Sequence, residues 1–183
     1  KGLLSICFNP LVSSPDSNFT REALDRLEFY SVIDFFVSES GHHADVILPG
    51  SLHEEDEGTS TSGEVQIIKI NAAVEPPGEA RLDWQILVDL ADRLGSGHYF
   101  PYTDTHQIFE ELRLASAGGT ADYRGATWER IEAEYGLFWP IPEEGHPVAP
   151  RLYEGGPFYH PDGRAKFHAV PYRLSGEVVD DDY

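Results

Sequence analysis

The stretch that decides the fold is FYSVIDFFVSESGHHADVILPG, residues 29–50. It holds two predicted strands, residues 29–33 and 45–48, whose residues are mostly apolar, and the first is followed by Asp34, the second by Pro49-Gly50. Runs of this length that are rich in β-branched and aromatic residues are typical of buried strands. The short polar segment between them predicts a short helical connection rather than a hairpin turn.

The preceding residues extend this pattern toward the amino terminus. A third apolar run, residues 3–8, stops at Asn9-Pro10, because proline cannot donate to a sheet and restricts the residue before it. Asp16, Ser17 or Asn18 can then cap a helix whose apolar residues recur at helical spacing. The order strand, helix, strand, short helix, strand predicts a doubly wound α/β fold with a mostly parallel sheet and flanking helices.

The pattern changes after residue 64. Residues 65–70 predict a further strand, and Asp83 is expected to cap a helix that Gly95 closes. Two more helices are predicted near residues 104–115 and 127–135. The remaining sequence is an irregular extension rich in Pro and Gly, in which PFYHPDGRAKFHAV, residues 157–170, predicts a hairpin turning at Pro161-Asp162-Gly163, and residues 177–183 are interpreted as a linker.

We therefore divide the chain into two parts. Residues 1–96 form the α/β portion, and residues 97–183 form the helical and irregular extension. Residue 1 is Lys and the chain has no Met, so we interpret it as a piece of a longer protein.

Charge and composition restrict the classes of function. The formal net charge of −19 argues against nucleic-acid binding through a basic surface, and it fits a halophilic or a very soluble protein. No apolar run approaches the length of a membrane span, so we predict no membrane insertion and a cytoplasmic protein. The single cysteine, Cys7, excludes an internal disulfide and an all-cysteine zinc or iron–sulfur site in this chain. Because Cys7 lies in an apolar run, we expect it to be inert packing.

The ends of the predicted strands are the candidate ligand site. In doubly wound folds, ligands bind beyond the carboxyl ends of the strands. Asn9, Asp34 and residues 49–59 follow three such ends. A carboxylate accepts two hydrogen bonds from a guanine edge or a ribose, and an Asn side chain both donates and accepts. The same two residues could instead only terminate strands and cap helices, and both interpretations stay open.

The residues give little support for a metal site, a catalytic serine or a phosphate-binding loop. His42, His43, His53 and the acids at residues 54–57 match no metal motif, and four adjacent acids cannot all face one ion, so we predict no metal site and interpret the acids as solvated. The sequence has no G-x-S-x-G and no glycine-rich phosphate loop. No catalytic residue is predicted within the chain.

Five segments together resemble a known family. They are FNPLVSSPD, VIDFFVSESGHHADVILPGSLHEEDEGTSTSGE, PPGEARLDWQILVDLADRLG, WERIEAEYGLFWPIP and FYHPDGRAKF, in this order along nearly the whole chain. In sequence and order they are similar to segments of the large molybdopterin oxidoreductases of the dimethyl sulfoxide reductase superfamily. The resemblance implies an internal fragment from the middle α/β domain of such an enzyme.

That resemblance also implies a cofactor and the residues that bind it. The parent would carry a bis-molybdopterin guanine dinucleotide cofactor, and a 4Fe-4S cluster outside this piece. This piece would help bind one guanine dinucleotide arm, with Asn9 on the dinucleotide, Ile33 and Asp34 at its nucleoside end, and Asp83 near the guanine. The residues carried over as cofactor-binding are Asn9, Ile33, Asp34, Ser38, Ser40, Gly58, Thr59 and Asp83, with Gly58 and Thr59 expected in a turn.

The implied activity belongs to the parent protein. FEELRLASAGGTADYRG and PDGRAKF look most similar to assimilatory nitrate reductases, while a formate dehydrogenase fragment and a catalytically silent homologue such as a complex I-type subunit are the alternatives. The partners implied are the remaining domains of the parent and its small-molecule substrate. Asp56 falls where some nitrate-reducing members have Lys, so it is not carried over as a ligand. Because the molybdenum ligand and the cluster cysteines are missing from this chain, we expect it to have no redox activity alone.

Overall fold

The computed structural model describes residues 1–174, and its first part is a three-stranded parallel sheet. The strands are β1 (Gly2–Ile6), β2 (Phe29–Asp34) and β3 (Val46–Pro49), in the spatial order β1-β2-β3. Ile33 in β2 lies opposite Ile6 in β1 and Leu48 in β3. The predicted parallel sheet is therefore confirmed, and the carboxyl ends of all three strands meet at one edge.

Two helices connect β1 to β2 and cover the sheet. They are α1 (Pro10–Ser13) and α2 (Ser17–Asp25). Asp16 caps α2, since its Oδ1 accepts a hydrogen bond from the Phe19 N–H at 3.0 Å. A small core forms where helices meet strands, and its buried members are Leu11, Leu24, Tyr30 and Val32. We call this first part the parallel unit.

A second sheet is antiparallel, and the sequence indicated only one of its strands. Its strands are β4 (Gly58–Thr61), β5 (Gln66–Ile70) and β6 (Leu137–Phe138), in the order β4-β5-β6. The turn expected at Gly58 and Thr59 is wrong, because both residues lie in β4 and pair with Ile70 and Lys69. Four small polar residues become a strand through pairing with β5, which no local periodicity reveals.

Three further helices lie near their predicted positions: α3 (Asp83–Arg93), α4 (Thr105–Ala115) and α5 (Trp128–Ala133). Asp104 and Thr127 cap α4 and α5 with their side chains, and Gly95 closes α3 with a φ of 75°. The prediction that Asp83 caps α3 is wrong. Leu82 occupies the cap position, and the Asp83 side chain is used elsewhere.

The antiparallel unit, which consists of β4 to β6 with α4 and α5, has its own core. Its buried members are Ile67, Phe109, Ala126, Ile131, Leu137 and Ile141. Because β5 and β6 pair, hydrogen bonds cross the predicted division at residue 96. That division into two parts stays a prediction.

The extension after β6 is irregular, as predicted, but the hairpin within it is wrong. A turn forms at the expected place, where the Gly163 N–H donates to the His160 oxygen at 2.8 Å. No strand flanks this turn in residues 139–174. Pro157 and Pro161 lack the N–H groups that a ladder needs, which accounts for the missing strands. The linker interpreted at residues 177–183 lies outside the described residues.

Membrane insertion was not expected from the hydropathy. Within residues 1–174, none of the helices has both the length and the apolar character that crossing a bilayer requires.

Candidate functional site

Asp34 stands at the centre of the carboxyl edge of the parallel sheet. Asp34 is 9% exposed, and its Oδ1 accepts hydrogen bonds from the N–H groups of Phe35 at 2.8 Å and Phe36 at 3.4 Å. The backbone oxygen of Asp34 accepts from Gly50 N at 3.1 Å, which ties β2 to the end of β3. Among the described residues nothing donates to Asp34 Oδ2, so one oxygen of a buried carboxylate is left for a ligand.

Exposed aromatic side chains lie beside this carboxylate. Phe35 is 44% and Phe36 72% exposed, and their ring centroids are 4.9 Å apart. Both rings line a groove of about 300 Å³ together with Pro49, Gly50 and Leu52. Flat apolar surfaces next to a free acceptor suit a planar ring that carries N–H donors. The sequence reasoning passed over both residues, although two Phe directly after a strand end are a usable signal.

Asn9 and Ser40 are brought together by the loops that follow β1 and β2. Asn9 Oδ1 accepts hydrogen bonds from Ser40 Oγ at 2.5 Å and from Ser40 N at 3.3 Å, and Asn9 Nδ2 donates to Glu39 Oε2 at 2.7 Å. Ser40 is fully buried. The hydrogen bonds from the backbone N–H of Glu39 and from Asn9 lower the pKa of the Glu39 carboxyl. Ser38 stays within its own loop, where its Oγ accepts from Gly41 N at 3.3 Å.

Asp83 joins the starts of two loops to helix α3. Its Oδ1 accepts from Ser51 N at 3.1 Å, and its Oδ2 accepts from the Cys7 thiol at 3.1 Å. This close approach depends on Gly50, since a Cβ there would overlap Asp83 Oδ1 and lie 3.0 Å from Ile33 Cγ2. Both carboxylate oxygens of Asp83 are thus used within the protein. Ile33 is fully buried, and its backbone oxygen accepts from Cys7 N at 2.9 Å.

Cys7 differs from its predicted state. It is exposed, lies just past β1 and has a φ of 47°, so it is not packing inside a strand. Partial burial, the hydrogen bond to Asp83 and the charges of Asp83 and Asp34 raise the pKa of the Cys7 thiol to about 12. The thiol is therefore protonated and a poor nucleophile at neutral pH.

A cleft of about 220 Å³ opens beside Cys7 and Asp83. Gly58 and Thr59 of β4 line it on the other side, so the structure brings these predicted residues to the same cleft as Asp83. Asp56 lines it too, and burial raises the pKa of its carboxyl, with a further contribution from the charge of Asp83. The cleft is acidic, and it disfavours a phosphate group.

The acid run at residues 54–57 is not uniformly solvated as expected. Glu55 is 8% exposed, and its Oε2 accepts from Leu52 N at 2.9 Å across a short 3-10 turn. Glu57 lies 3.8 Å from Lys69 of β5. The spacing is that of the Glu in a capping box, but Leu52 lacks the side-chain oxygen of that motif, so the sequence carried no complete signal for this contact. Within residues 1–174, no three His, Cys, Asp or Glu side chains converge as metal ligands.

Comparison with known proteins identifies the family of the chain. A sequence profile described as molybdopterin oxidoreductase matches residues 1–93, which is half of the chain. The chain belongs to the molybdopterin oxidoreductase family. The matched residues include every predicted cofactor-binding residue, from Asn9 to Asp83.

Curated members of the molybdopterin oxidoreductase family resemble nearly the whole chain. The assimilatory nitrate reductase catalytic subunit of Bacillus subtilis is 49% identical over 171 residues, which are 93% of this chain and 24% of that protein. The F420-dependent formate dehydrogenase subunit alpha of Methanocaldococcus jannaschii is 39% identical over 175 residues, 96% of this chain and 25% of that protein. The nitrate reductase of Symbiobacterium thermophilum is 39% identical over 197 residues, covering 100% of this chain and 26% of its own length. The chain spans about a quarter of the length of these relatives.

A solved structure supports the fold. Acetylene hydratase from Pelobacter acetylenicus superposes on 60% of this chain and 15% of its own with a TM-score of 0.55. The identity is 23%, so this likeness concerns the molybdopterin oxidoreductase fold alone.

Proposed function

We propose that this chain is part of a molybdenum oxidoreductase and that its carboxyl edge binds one guanine dinucleotide arm of a bis-molybdopterin cofactor. The observation that carries the proposal is Asp34, a buried carboxylate with one free oxygen at the edge where parallel sheets bind ligands. Exposed Phe35 and Phe36 stand beside it.

The chemistry of this edge fits a guanine base. Guanine presents neighbouring N–H donors, and Asp34 Oδ2 is an acceptor that the described residues leave unused. Phe35 and Phe36 offer surfaces on which a base stacks, a contact that contributes about 1–3 kcal/mol per base. Asp34 therefore binds the base, and Ile33 positions Asp34 from its buried place in β2.

The other predicted residues are proposed to shape the site around the base. Asp83 holds Cys7 and Ser51 in place, while Gly58 and Thr59 form the opposite wall of the acidic cleft. Because Asp56 and Asp83 repel negative charge, the phosphates of the dinucleotide lie away from this cleft. Ser38 and Ser40 fix the loop that leads from Asp34 back to the sheet.

When bound, the molybdenum of such a cofactor supplies the redox chemistry. This chain contributes binding and orientation, and the molybdenum ligand and a 4Fe-4S cluster are proposed to lie in the remaining domains of the parent. We expect the chain by itself to be without redox activity. Elemental analysis of the purified chain checks this, and stoichiometric molybdenum or iron would contradict it.

Nitrate is the proposed substrate of the parent. The support is the 49% identity to an assimilatory nitrate reductase, against 39% to a formate dehydrogenase subunit, which makes formate the second candidate. An assimilatory role would place the parent in the cytoplasm. Assays of the full-length protein for nitrate reduction and formate oxidation separate the two, and the absence of both would favour a catalytically silent homologue.

The cofactor proposal is tested by Asp34→Ala in the full-length protein. Loss of the acceptor leaves guanine donors unsatisfied in a buried site, at a cost of roughly 1–3 kcal/mol, or about a tenfold to hundredfold loss of affinity. The measurement is guanine nucleotide retained per protein after dilution, recorded together with the melting temperature.

The matched control is Asp25→Ala, at the exposed end of α2, which should retain the nucleotide. If Asp34→Ala melts at a lower temperature yet keeps full nucleotide occupancy, Asp34 only ends its strand and the proposal is wrong.

A further inference from the structure

Helix α1 has an unusual cap. Asn9 occupies its N-terminal cap position, where an Asn side chain ordinarily accepts a hydrogen bond from the helix. Here the Asn9 side chain makes no such bond. Ser40, from the loop after β2, takes over this role, because its Oγ accepts from Leu11 N at 3.0 Å. The Ser40 hydroxyl in turn donates to Asn9 Oδ1 at 2.5 Å.

We infer that Asn9 is a positioning residue for the nucleotide site and acts on it through Ser40. The inference rests on the proposed function of this edge. It differs from the role that the family resemblance implies, in which Asn9 touches the dinucleotide. The hydrogen bonds from Leu11 to Ser40 and from Ser40 to Asn9 join the loop after β1 to the loop after β2. We call these three joined residues the rim of the site.

This rim holds the loop of residues 35–39, which carries the two exposed Phe. At its near end, Asp34 Oδ1 accepts from the backbone of Phe35 and Phe36. At its far end, Ser40 is fixed by Asn9 and Leu11, and Ser38 accepts from Gly41 N through its side chain. With both ends fixed, the aromatic rings and the free oxygen of Asp34 keep one relative position before a ligand arrives.

The side chain of Asn9 is largely engaged within the protein. Its Oδ1 receives two hydrogen bonds from Ser40, and its Nδ2 donates to Glu39 Oε2 at 2.7 Å. The second N–H of Nδ2 has no partner among the described residues, so a direct contact between Asn9 and a ligand is limited to that single donor. Ser40 is 0% exposed and cannot touch a nucleotide, so any effect of Ser40 on binding is transmitted through the rim.

A double-mutant cycle in the full-length protein tests the inference. The variants are Asn9→Ala, Ser40→Ala and the double variant. The readouts are guanine nucleotide retained after dilution and hydrogen exchange of the amides of residues 35–39. We expect each single variant to lose about threefold to tenfold in nucleotide affinity and to exchange faster in this loop. The double variant should be within about twofold of the worse single one, because both changes break one connection.

Controls separate positioning from general damage. Asn18→Ala on the exposed face of α2 and Ser13→Ala on α1 should leave both readouts unchanged. Ser40→Thr keeps the hydroxyl and should restore binding and protection. Amides of β5 should stay protected in every variant, which shows that the protein remains folded.

Two results would overturn the inference. Losses of affinity that add in the double variant, with unchanged exchange in residues 35–39, would show that Asn9 contacts the nucleotide directly. Unchanged exchange and affinity in both single variants would show that the rim has no role. Failure of the proposed function is a separate result, since there Asp34→Ala itself retains the nucleotide.

Discussion

The two units each bury an aspartate, and they treat it differently. Asp122, in the loop between α4 and α5 of the antiparallel unit, is 3% exposed, and both of its oxygens accept backbone hydrogen bonds, from Gly118 N at 2.7 Å and Arg124 N at 2.9 Å. Asp34, in the parallel unit, is 9% exposed, and within residues 1–174 only its Oδ1 is engaged. A buried carboxylate that is fully satisfied holds its own loop, whereas one that is half satisfied has capacity for something else.

The two units also differ in the number of apolar residues that their cores bury. The antiparallel unit buries six apolar residues in one cluster and packs Tyr123, Trp128 and Trp139 against it. The cluster of the parallel unit has four buried members. Packing is therefore concentrated in the antiparallel unit, whereas Asp34, the proposed base-binding residue, lies in the parallel unit, and we expect stability and nucleotide binding to respond to different substitutions.

The largest effect is expected from Ile67→Ala, in the core of the antiparallel unit. Ile67 is 0% exposed, and truncating such a side chain costs roughly 2–5 kcal/mol in lost burial and cavity formation. Urea unfolding of the chain measures it. The neighbouring Ile68, 39% exposed on the other face of β5, is the matched control and should cost far less as Ile68→Ala. Equal losses of stability in Ile67→Ala and Ile68→Ala would contradict the view that packing is concentrated in this core.

Asp122→Asn should destabilise the chain by about 1.5–3 kcal/mol, because a charged acceptor of two backbone bonds is lost. Burial by itself would raise the pKa of Asp122, but the bonds from Gly118 and Arg124 and the charge of Arg124 lower it below its usual value. A lowered pKa stabilises the folded state above the ordinary aspartate value of about 3.9, and this contribution is lost as the pH falls below it.

Unfolding midpoints measured from pH 7 to pH 3 check the sign of this effect. The wild-type chain should lose more stability over this range than Asp122→Asn. Parallel curves for the two proteins would show that the carboxylate is not held as described, and the contrast with Asp34 would fail.

Gly50→Ala probes the edge of the parallel unit. The new Cβ would overlap Asp83 Oδ1, so Asp83 must move away from Ser51, at a cost of about 1–3 kcal/mol. Gly63→Ala is the control, since a Cβ there meets nothing within 4 Å. Thermal melting of both variants measures the difference. A Gly50→Ala variant as stable as Gly63→Ala would mean that the edge adjusts freely around Asp83.

The smallest expected effect is that of Asp56→Asn, and its sign is opposite. Burial raises the pKa of Asp56, so its charge disfavours the folded state at neutral pH and no longer does so once the carboxyl is protonated. The variant keeps the oxygen that accepts from Glu57 N. We expect it to be more stable by no more than about 0.5 kcal/mol at pH 7, with no gain near pH 4. A loss of stability at pH 7 would contradict this.

How well the sequence predicted each unit depends on the distance between partners. The three parallel strands and helices α2 to α5 were predicted because apolar runs, caps such as Asp16 and Asp104, and the terminal Gly95 are local signals. Strands β4 and β6 were missed because their pairing partner in β5 defines them, and β6 has two residues. The hairpin prediction was wrong because a turn at the right place does not by itself make the flanking residues pair as strands.

The same limit applied to the site. Asp34 was placed correctly at a strand end, whereas β1 ends at Ile6, so Asn9 follows that strand by three positions and not directly as predicted. The cap given by Ser40 to α1 and the bonds of Asp83 to Cys7 and Ser51 join residues 29, 76 and 32 positions apart, and no spacing rule predicts them. What stays a prediction is the nucleotide contact itself.

The thiol of Cys7 offers a chemical gauge of this edge. It is the single sulfhydryl of the chain and is exposed, but with a pKa raised to about 12 very little of it is ionised at pH 7. Alkylation should therefore be slow, and it should accelerate whenever Asp83 is drawn away from the sulfur. The rate of alkylation by a reagent such as iodoacetamide therefore reports whether the Asp83 carboxylate stays 3.1 Å from Cys7 Sγ, and this rate can be followed in solution.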